Sequence, residues 1–261
     1  MIKEGDIIRL EEISLRHPKS WIIKLTKNGE LSTHLGKIFH DQCIGCIYGD
    51  VILLTRGTVT ILKPLPRDYL RHFRLKTQIL YEDDCSIACT LAGVGPGMRV
   101  GEAGTGSGGL TIFLAYYVQP NGHIYSFDIN YDHLSNAKQN IEITGLSKYV
   151  TFLVKDVRKP LDIENLDAFF LDFSTPYDAI DNVVLALKGG GHLVCFVPNW
   201  SQVEKTVAKI QENPSLILKE TFEVTRRNYV VNPTKNVMRP VFRDLVYSGI
   251  LIHGIKIIPK Q

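Results

Sequence analysis

The stretch Val100–Gly109, VGEAGTGSGG, restricts this chain more than any other part of it. An apolar strand-like run, MRVGEA, leads into it, and a helix-like run, GGLTIFLAYYVQ, leads out. The glycines therefore fall on a strand-to-helix turn. Glycine there lets the backbone bend sharply and approach a ligand closely, with the next helix starting just behind. A turn of this kind belongs to a doubly wound α/β sheet, whose ligands lie at the carboxyl ends of the strands.

The surrounding chain carries the same rhythm. From about Asp83, helical and strand patterns alternate: EDDCSIACTLAGV, MRVGEA, GGLTIFLAYYVQ, HIYSFD, DHLSNAKQNIEIT, VTFLVKD, LDAFFLD, GGHLVCFVP and WSQVEKTVAKIQEN. Such alternation predicts a mostly parallel sheet with helices on both faces. After residue 215 the pattern turns to strands alone, ILKETFEVTRR and LVYSGILIHGIKII. Upstream, DIIRLEEI, SWIIKLT, DVILLTRG and TVTILKP are rich in β-branched residues, and KNGE is a hairpin-turn candidate. The expected organisation is a small all-β sandwich or barrel over 1–65, a basic linker helix and pocket segment over 66–82 (PLPRDYLRHFRLK and beyond), and an α/β domain over 83–261.

Two cofactors suit the loop. Gly104, Gly106 and Gly109 spell G-x-G-x-x-G, the dinucleotide pattern. Glu102, Gly104, Gly106 and Gly108 spell acid-x-G-x-G-x-G, as in S-adenosylmethionine (SAM) methyltransferases. The acids weigh between them, although both cofactors use an acid placed like Asp128. Glu102 ends the first strand, where a carboxylate meets the amino group of a methionine portion and would oppose a pyrophosphate. Asp128 ends the second, 20 residues past Gly108, placed for ribose hydroxyls. Asp156 ends the third, placed for an adenine amino group. Three acids at successive strand ends favour SAM, with Thr105 and Ser107 completing the cofactor-binding loop. The strand-only tail agrees, because a nicotinamide-binding fold usually continues as βαβ. Asp172 ends the fourth strand, where a transferable methyl group would meet its acceptor.

Charge is distributed unevenly. Residues 1–80 hold 13 Lys and Arg against 8 Asp and Glu, residues 81–218 hold 9 against 16, and residues 219–261 hold 8 against 3. Basic flanks around an acidic centre suit a polyanion at the flanks and a cationic sulfonium in the core. The N-terminus lacks the apolar core of a secretory signal, and no apolar run reaches the roughly 20 residues that span a bilayer. A cytoplasmic protein is expected. Cys43 and Cys46 form C-x-x-C and Cys85 and Cys89 form C-x-x-x-C, but 38 residues separate the pairs, so no metal site is expected.

The chain resembles the TrmI-type tRNA (adenine-N1) methyltransferases, which modify adenine 58 of the T-loop. The likeness runs nearly full length, through HLGKIFHDQCIG, KTQILYEDD, PGMRVGEAGTGSGGLT, VKDVRK, RRNYVVNP and RPVFRDLVYSGILI. It implies a class I SAM-dependent methyltransferase: a Rossmann-like doubly wound sheet with terminal antiparallel strands plus a small N-terminal all-β domain that helps grip tRNA. It also implies a homotetramer. By resemblance Asp172 holds the target adenine and also lies near the cofactor. Tyr81 is an aromatic of the pocket floor; Tyr177, Arg226 and Tyr247 fall on the substrate side. Adenine 57 is a second possible target in some relatives.

The match departs from the family in places. Asp172-Phe173-Ser174-Thr175-Pro176-Tyr177 stands where the family usually shows D-x-P-x-P-W, so Ser174 replaces a proline that would stiffen the loop. Tyr247 stands where many relatives place histidine, and Gly101 where they place an aliphatic residue. Two alternatives follow: a non-catalytic tRNA-binding paralogue or subunit, and a SAM methyltransferase of another substrate.

Overall fold

The β-branched runs at the N-terminus do form strands: β1 (Ile7–Glu12), β2 (Ser20–Lys24), β3 (Glu30–Thr33), β4 (Gly36–Phe39), β5 (Val51–Leu54) and β6 (Gly57–Leu62). This computed structural model describes residues 1–14, 18–242 and 247–259. Part of the terminal RPVFRDLVYSGILI stretch, residues 243–246, lies outside the described residues. The chain divides into two compact units, Met1–Phe73 with Ile143–Gly145, and Arg74–Glu142 with Leu146 onward.

In the first unit the strands order β2-β1-β6-β5 in an antiparallel sheet, and β3 pairs with β4 in a separate ribbon. Ile8, Leu10, Val59 and Ile61 of the sheet bury against Leu35 and Ile38 of the ribbon. This is a small sandwich rather than a barrel. KNGE turns, with Asn28 at φ 58°, but it closes no hairpin, since β2 and β3 pair with other strands. The glycine is needed because a Cβ on Gly29 would lie 2.2 Å from the His40 ring. The expected linker helix is only α1 (Pro66–Leu70).

Just beyond, the Arg74 backbone is captured by side chains. Its N–H donates to Asn140 Oδ1 at 2.9 Å, and its carbonyl accepts from Asn136 Nδ2 at 2.8 Å and Asn140 Nδ2 at 3.0 Å. Those bonds satisfy the peptide groups that a longer helix would have paired internally.

The second unit alternates as its sequence does: α2 (Glu82–Leu91), β7 (Arg99–Ala103), α3 (Gly109–Tyr117), β8 (His123–Asp128), α4 (Tyr131–Glu142), β9 (Val150–Val154), β10 (Leu166–Leu171), α5 (Ile180–Ala186), β11 (Leu187–Val197), α6 (Trp200–Glu212) and β12 (Leu216–Glu223). A hairpin of β13 (Tyr229–Asn232) and β14 (Val237–Pro240) precedes β15 (Ile250–Lys256). The seven-stranded sheet runs β12-β15-β11-β10-β7-β8-β9. Its members from β9 to β11 are parallel, and β15 is antiparallel to both β11 and β12. This is the expected Rossmann-like sheet with terminal antiparallel strands. Strand order reverses between β7 and β10, which opens a crevice at their carboxyl ends.

The central strands are buried on both faces, and α3 is buried along Gly109–Ala115, as a sheet covered by helices requires. Phe127 and Phe169 stack at 6.0 Å within this core. A Cβ on Gly101 would lie 2.4 Å from the Phe169 ring, so glycine at this unusual strand position makes room for the aromatic. The five cysteines are free thiols. Among the described residues no cluster of three or more His, Cys, Asp or Glu could hold a metal ion, and no helix is long and apolar enough to cross a membrane.

Candidate active site

The glycine turn leaves β7 and passes over the neighbouring strand ends. Gly104, Gly106 and Gly108 have φ of 90°, 54° and 86°, values that L side chains rarely adopt. Gly104 is also packed against the chain that follows β10, because a Cβ there would lie 1.9 Å from the Asp172 carbonyl oxygen. The turn's amides are used within the fold. Gly104 N–H and Thr105 N–H donate to the Phe127 carbonyl, Gly106 N–H to Asp128 Oδ2 at 3.1 Å, and Gly108 N–H to the Thr105 carbonyl. A dinucleotide site needs such amides directed at phosphate, so their internal use fits a nucleoside without a pyrophosphate.

Two cavities flank the segment after β10. The first, about 140 Å³, is lined by Gly104, Asp128, Ile129, Asp156, Val157 and Phe173, among others. Its apolar walls suit a flat ring, and its acids suit hydroxyl and amino donors. Its two cations are already paired, Arg158 with Asp156 and Lys155 with Asp162. Bidentate bonds from Arg158 hold the Asp156 carboxyl below its usual range. Asp128 is fixed by Asn130 N–H at 2.9 Å as well as by Gly106. The second cavity, about 270 Å³, is lined by Gln78, Tyr81, Asp172, Phe196, Gln202 and Ser248, among others. Phe173 and Ser174 line both cavities. Phe173 and Ser174 are thus a shared wall, with Asp172 at its edge on the side of the larger cavity.

Glu102 lies beneath the turn and lines neither cavity. It is 1% exposed and accepts from Thr111 Oγ1 and Ser126 Oγ, each at 2.7 Å. Ser126 in turn bonds Thr105 Oγ1 at 2.7 Å. Burial pushes Glu102 up to about 7 despite these bonds. Asp172 is pushed up to about 8 by burial and by the charges of Glu102 and Asp84. Asp84, on the first turn of α2, is 2% exposed and bonds Ser248, and its Oδ1 has no partner among the described residues. Burial raises its carboxyl too. Two buried acids, Glu102 and Asp84, and the partly buried Asp172 therefore share one region, a setting that attracts positive charge.

Besides Glu102, the expected site residues divide into three groups. Gly104, Asp128, Asp156, Asp172 and Tyr81 line the cavities. Thr105, Gly106, Ser107 and Gly108 hold the turn instead: Ser107 Oγ accepts from Lys76 N–H at 2.9 Å and Thr77 N–H at 3.1 Å, anchoring the strip that leads to Tyr81. The three residues expected on the substrate side line neither cavity. Tyr177 lies under the Lys205 ammonium at 5.4 Å. Tyr247 donates to the Pro198 carbonyl at 2.6 Å. Arg226 bridges Glu82 at 2.7 Å and Asp83 at 2.8 Å, beside Tyr81. Sequence reasoning missed Asp84, Ser126, Thr111, Asn140 and Gln202. The readable signal for Asn140 was its spacing four residues from Asn136 on the inward face of α4, and for Gln202 its place three residues after Asn199, a capping-box spacing; the others lack a local signature.

The comparisons agree with this geometry. The family model described as tRNA methyltransferase complex GCD14 subunit matches residues 57–246. The TrmI tRNA (adenine(58)-N(1))-methyltransferase of Thermus thermophilus is 30% identical over 239 residues, covering 91% of this chain and 92% of that protein. Among solved structures, a SAM-dependent O-methyltransferase from Thermotoga maritima superposes with a TM-score of 0.83 at 30% identity, covering 100% of this chain and 96% of its own. The tRNA (m1A58) methyltransferase TrmI of Aquifex aeolicus gives 0.75 at 25% identity, covering 99% of each chain. Matched over most of its length by the family model and by a close-length relative, the chain belongs to the tRNA methyltransferase complex GCD14 subunit family.

Proposed function

We propose that this protein is a SAM-dependent methyltransferase that acts on N1 of adenine 58 in the T-loop of tRNA. The observation that carries the reading is the shared wall: Phe173 and Ser174 separate an acid-rimmed cleft from a larger cavity holding the Asp172 carboxyl beside Tyr81. Gly104, Asp128, Asp156 and Phe173 would hold the cofactor in the first. SAM, when bound, supplies an electrophilic methyl group on a sulfonium. The second cavity would take the purine.

Adenine N1 carries its own lone pair, so attack needs no prior deprotonation. Methylation leaves positive charge on the ring, shared with the exocyclic N6. A carboxylate at Asp172 accepting from N6–H is then stronger in the transition state than before it, which is the condition for catalysis. Asp172 also becomes the natural acceptor for an N6 proton afterwards. The free protein holds Asp172 partly protonated near neutrality; positive charge arriving on either side favours the carboxylate. Tyr81, 41% exposed at the head of α2, offers a ring face to a base turned out of its stack.

The N-terminal β unit is proposed to assist tRNA binding, the protein to work in the cytoplasm, and the assembly to be a homotetramer, which light scattering would test. One observation favours a different acceptor: the Thermotoga relative is described as an O-methyltransferase. The test is incubation with labelled SAM and an unmodified tRNA transcript, followed by mass spectrometry of the nucleosides. Label in 1-methyladenosine from position 58 is expected. Transfer to a hydroxyl acceptor, indifferent to added tRNA, would replace this reading; label at position 57 as well would extend it.

A further inference from the structure

The wall between the two cavities leaves β10 without regular structure, yet one helix follows it rung by rung. Gln202, Lys205, Lys209 and Asn213 lie on one stripe that begins in the first turn of α6 and runs just past its end, spaced three or four apart. Gln202 Nε2 donates to the Ser174 carbonyl at 2.8 Å. Lys205 covers the Tyr177 ring. Lys209 and Asn213 both reach Asp181. The first rung stands apart from the rest, because Ser174 and Gln202 themselves line the larger cavity. Gln202 is also used at both ends: while Nε2 holds Ser174, Oε1 accepts from Asn199 N–H at 3.1 Å and so caps α6. The amide therefore links the rigid start of a 13-residue helix to a residue two positions from the acid.

We infer that Gln202 is a positioning residue, whose amide holds the Ser174 carbonyl and thereby sets where Asp172 stands at the larger cavity. Serine at 174 leaves φ free where a proline would fix it, so the restraint comes from α6 instead. The inference rests on the function proposed above for its catalytic consequence, but its mechanical part does not.

Gln202→Glu is the discriminating variant. It keeps an acceptor for Asn199 and loses the donor to Ser174. Gln202→Leu loses both. In hydrogen exchange on the ligand-free protein, both variants should exchange faster across residues 172–177. Gln202→Leu, which loses the cap as well, should lose more thermal stability than Gln202→Glu. In methyl transfer to tRNA, both should lose kcat by about 10-fold to 100-fold, as a misplaced catalytic group does, with KM for tRNA nearly unchanged. Unchanged exchange over 172–177 in both variants would overturn the inference whatever the activity. Faster exchange with unaltered kcat would also overturn it, leaving a strut without a catalytic effect. If the unsubstituted protein transfers nothing to tRNA, the proposed function fails instead, and the exchange result alone then decides whether the rung holds the wall.

Discussion

Replacing Gly104 with alanine tests how tightly the glycine turn and the acid-bearing segment are locked together. The new Cβ would lie 1.9 Å from the Asp172 carbonyl oxygen and 2.7 Å from its carbonyl carbon. Restoring an ordinary contact of about 3.5 Å requires roughly 1.5 Å of movement. The obstacle is backbone rather than a yielding side-chain tip. The Asp172 peptide is moreover tied to β7, its N–H donating to the Ala103 carbonyl at 2.9 Å. Overpacking of this kind costs about 1–3 kcal/mol. Holding alanine at φ 90° adds about 1–3 kcal/mol. For a unit of this size each kcal/mol lowers Tm by about 2–4 °C. Gly93→Ala is the matched control: its φ is 58° and nothing lies within 4 Å of its added Cβ, so it carries backbone strain without the collision. Thermal unfolding, calorimetric titration with SAM and single-turnover transfer would be measured on both. Gly104→Ala should unfold several degrees below Gly93→Ala, bind SAM more weakly and transfer about 100-fold more slowly. Equal Tm for the two variants, with Gly104→Ala retaining cofactor affinity and rate, would refute the locked turn.

Asp172→Asn keeps the side chain's shape and removes the charge that stabilises the methylated ring. It should lower kcat by about 100-fold to 1,000-fold with cofactor affinity largely retained, as steady-state kinetics and calorimetry would show. In the unsubstituted enzyme kcat/KM should rise with pH through the region between about 7 and about 8, where Glu102 and Asp172 titrate as a pair. Asp172→Asn should lose the upper part of that rise; an unchanged profile would exclude Asp172 as its source. Stability of the ligand-free protein should run the other way. The folded state holds protons on Glu102 and Asp172 that the unfolded chain releases at ordinary carboxyl values of about 4, so stability falls as pH rises from there toward about 8 and levels off above it. Denaturant titrations across that range should show the slope, and Glu102→Gln should flatten it; a slope the variant leaves intact would point to other groups.

The glycine turn and the acid-rimmed cleft beside it were readable because their signals are local. Glycines that need positive φ must sit on a turn, and acids at strand ends follow directly from the alternating pattern. The β7–β10 switch and the antiparallel end of the sheet follow from the same alternation and from the strand-only tail. What could not be read depends on groups brought together from distant parts of the chain. Glu102 was expected at the ligand, yet Thr111 and Ser126 hold it below the turn, 9 and 24 residues away. Arg74 carries no local mark of the bonds its backbone makes with Asn136 and Asn140, more than 60 residues on. Gly101 read as a departure from its family until Phe169 occupied the space above it. Asp84 read as an ordinary acid in a helix's first turn, a favourable place for its charge; only burial beside Asp172 distinguishes it.

A crystal structure of the protein grown with SAM would show whether the acid-rimmed cleft holds the donor and the cavity across the Asp172–Ser174 segment is left to receive the base. Ribose density is expected at Asp128, the adenine between Val157 and Phe173, and the methyl group facing the cavity of Tyr81 and Asp172. An empty cleft at saturating SAM, or a methyl group turned away from Asp172, would contradict that arrangement.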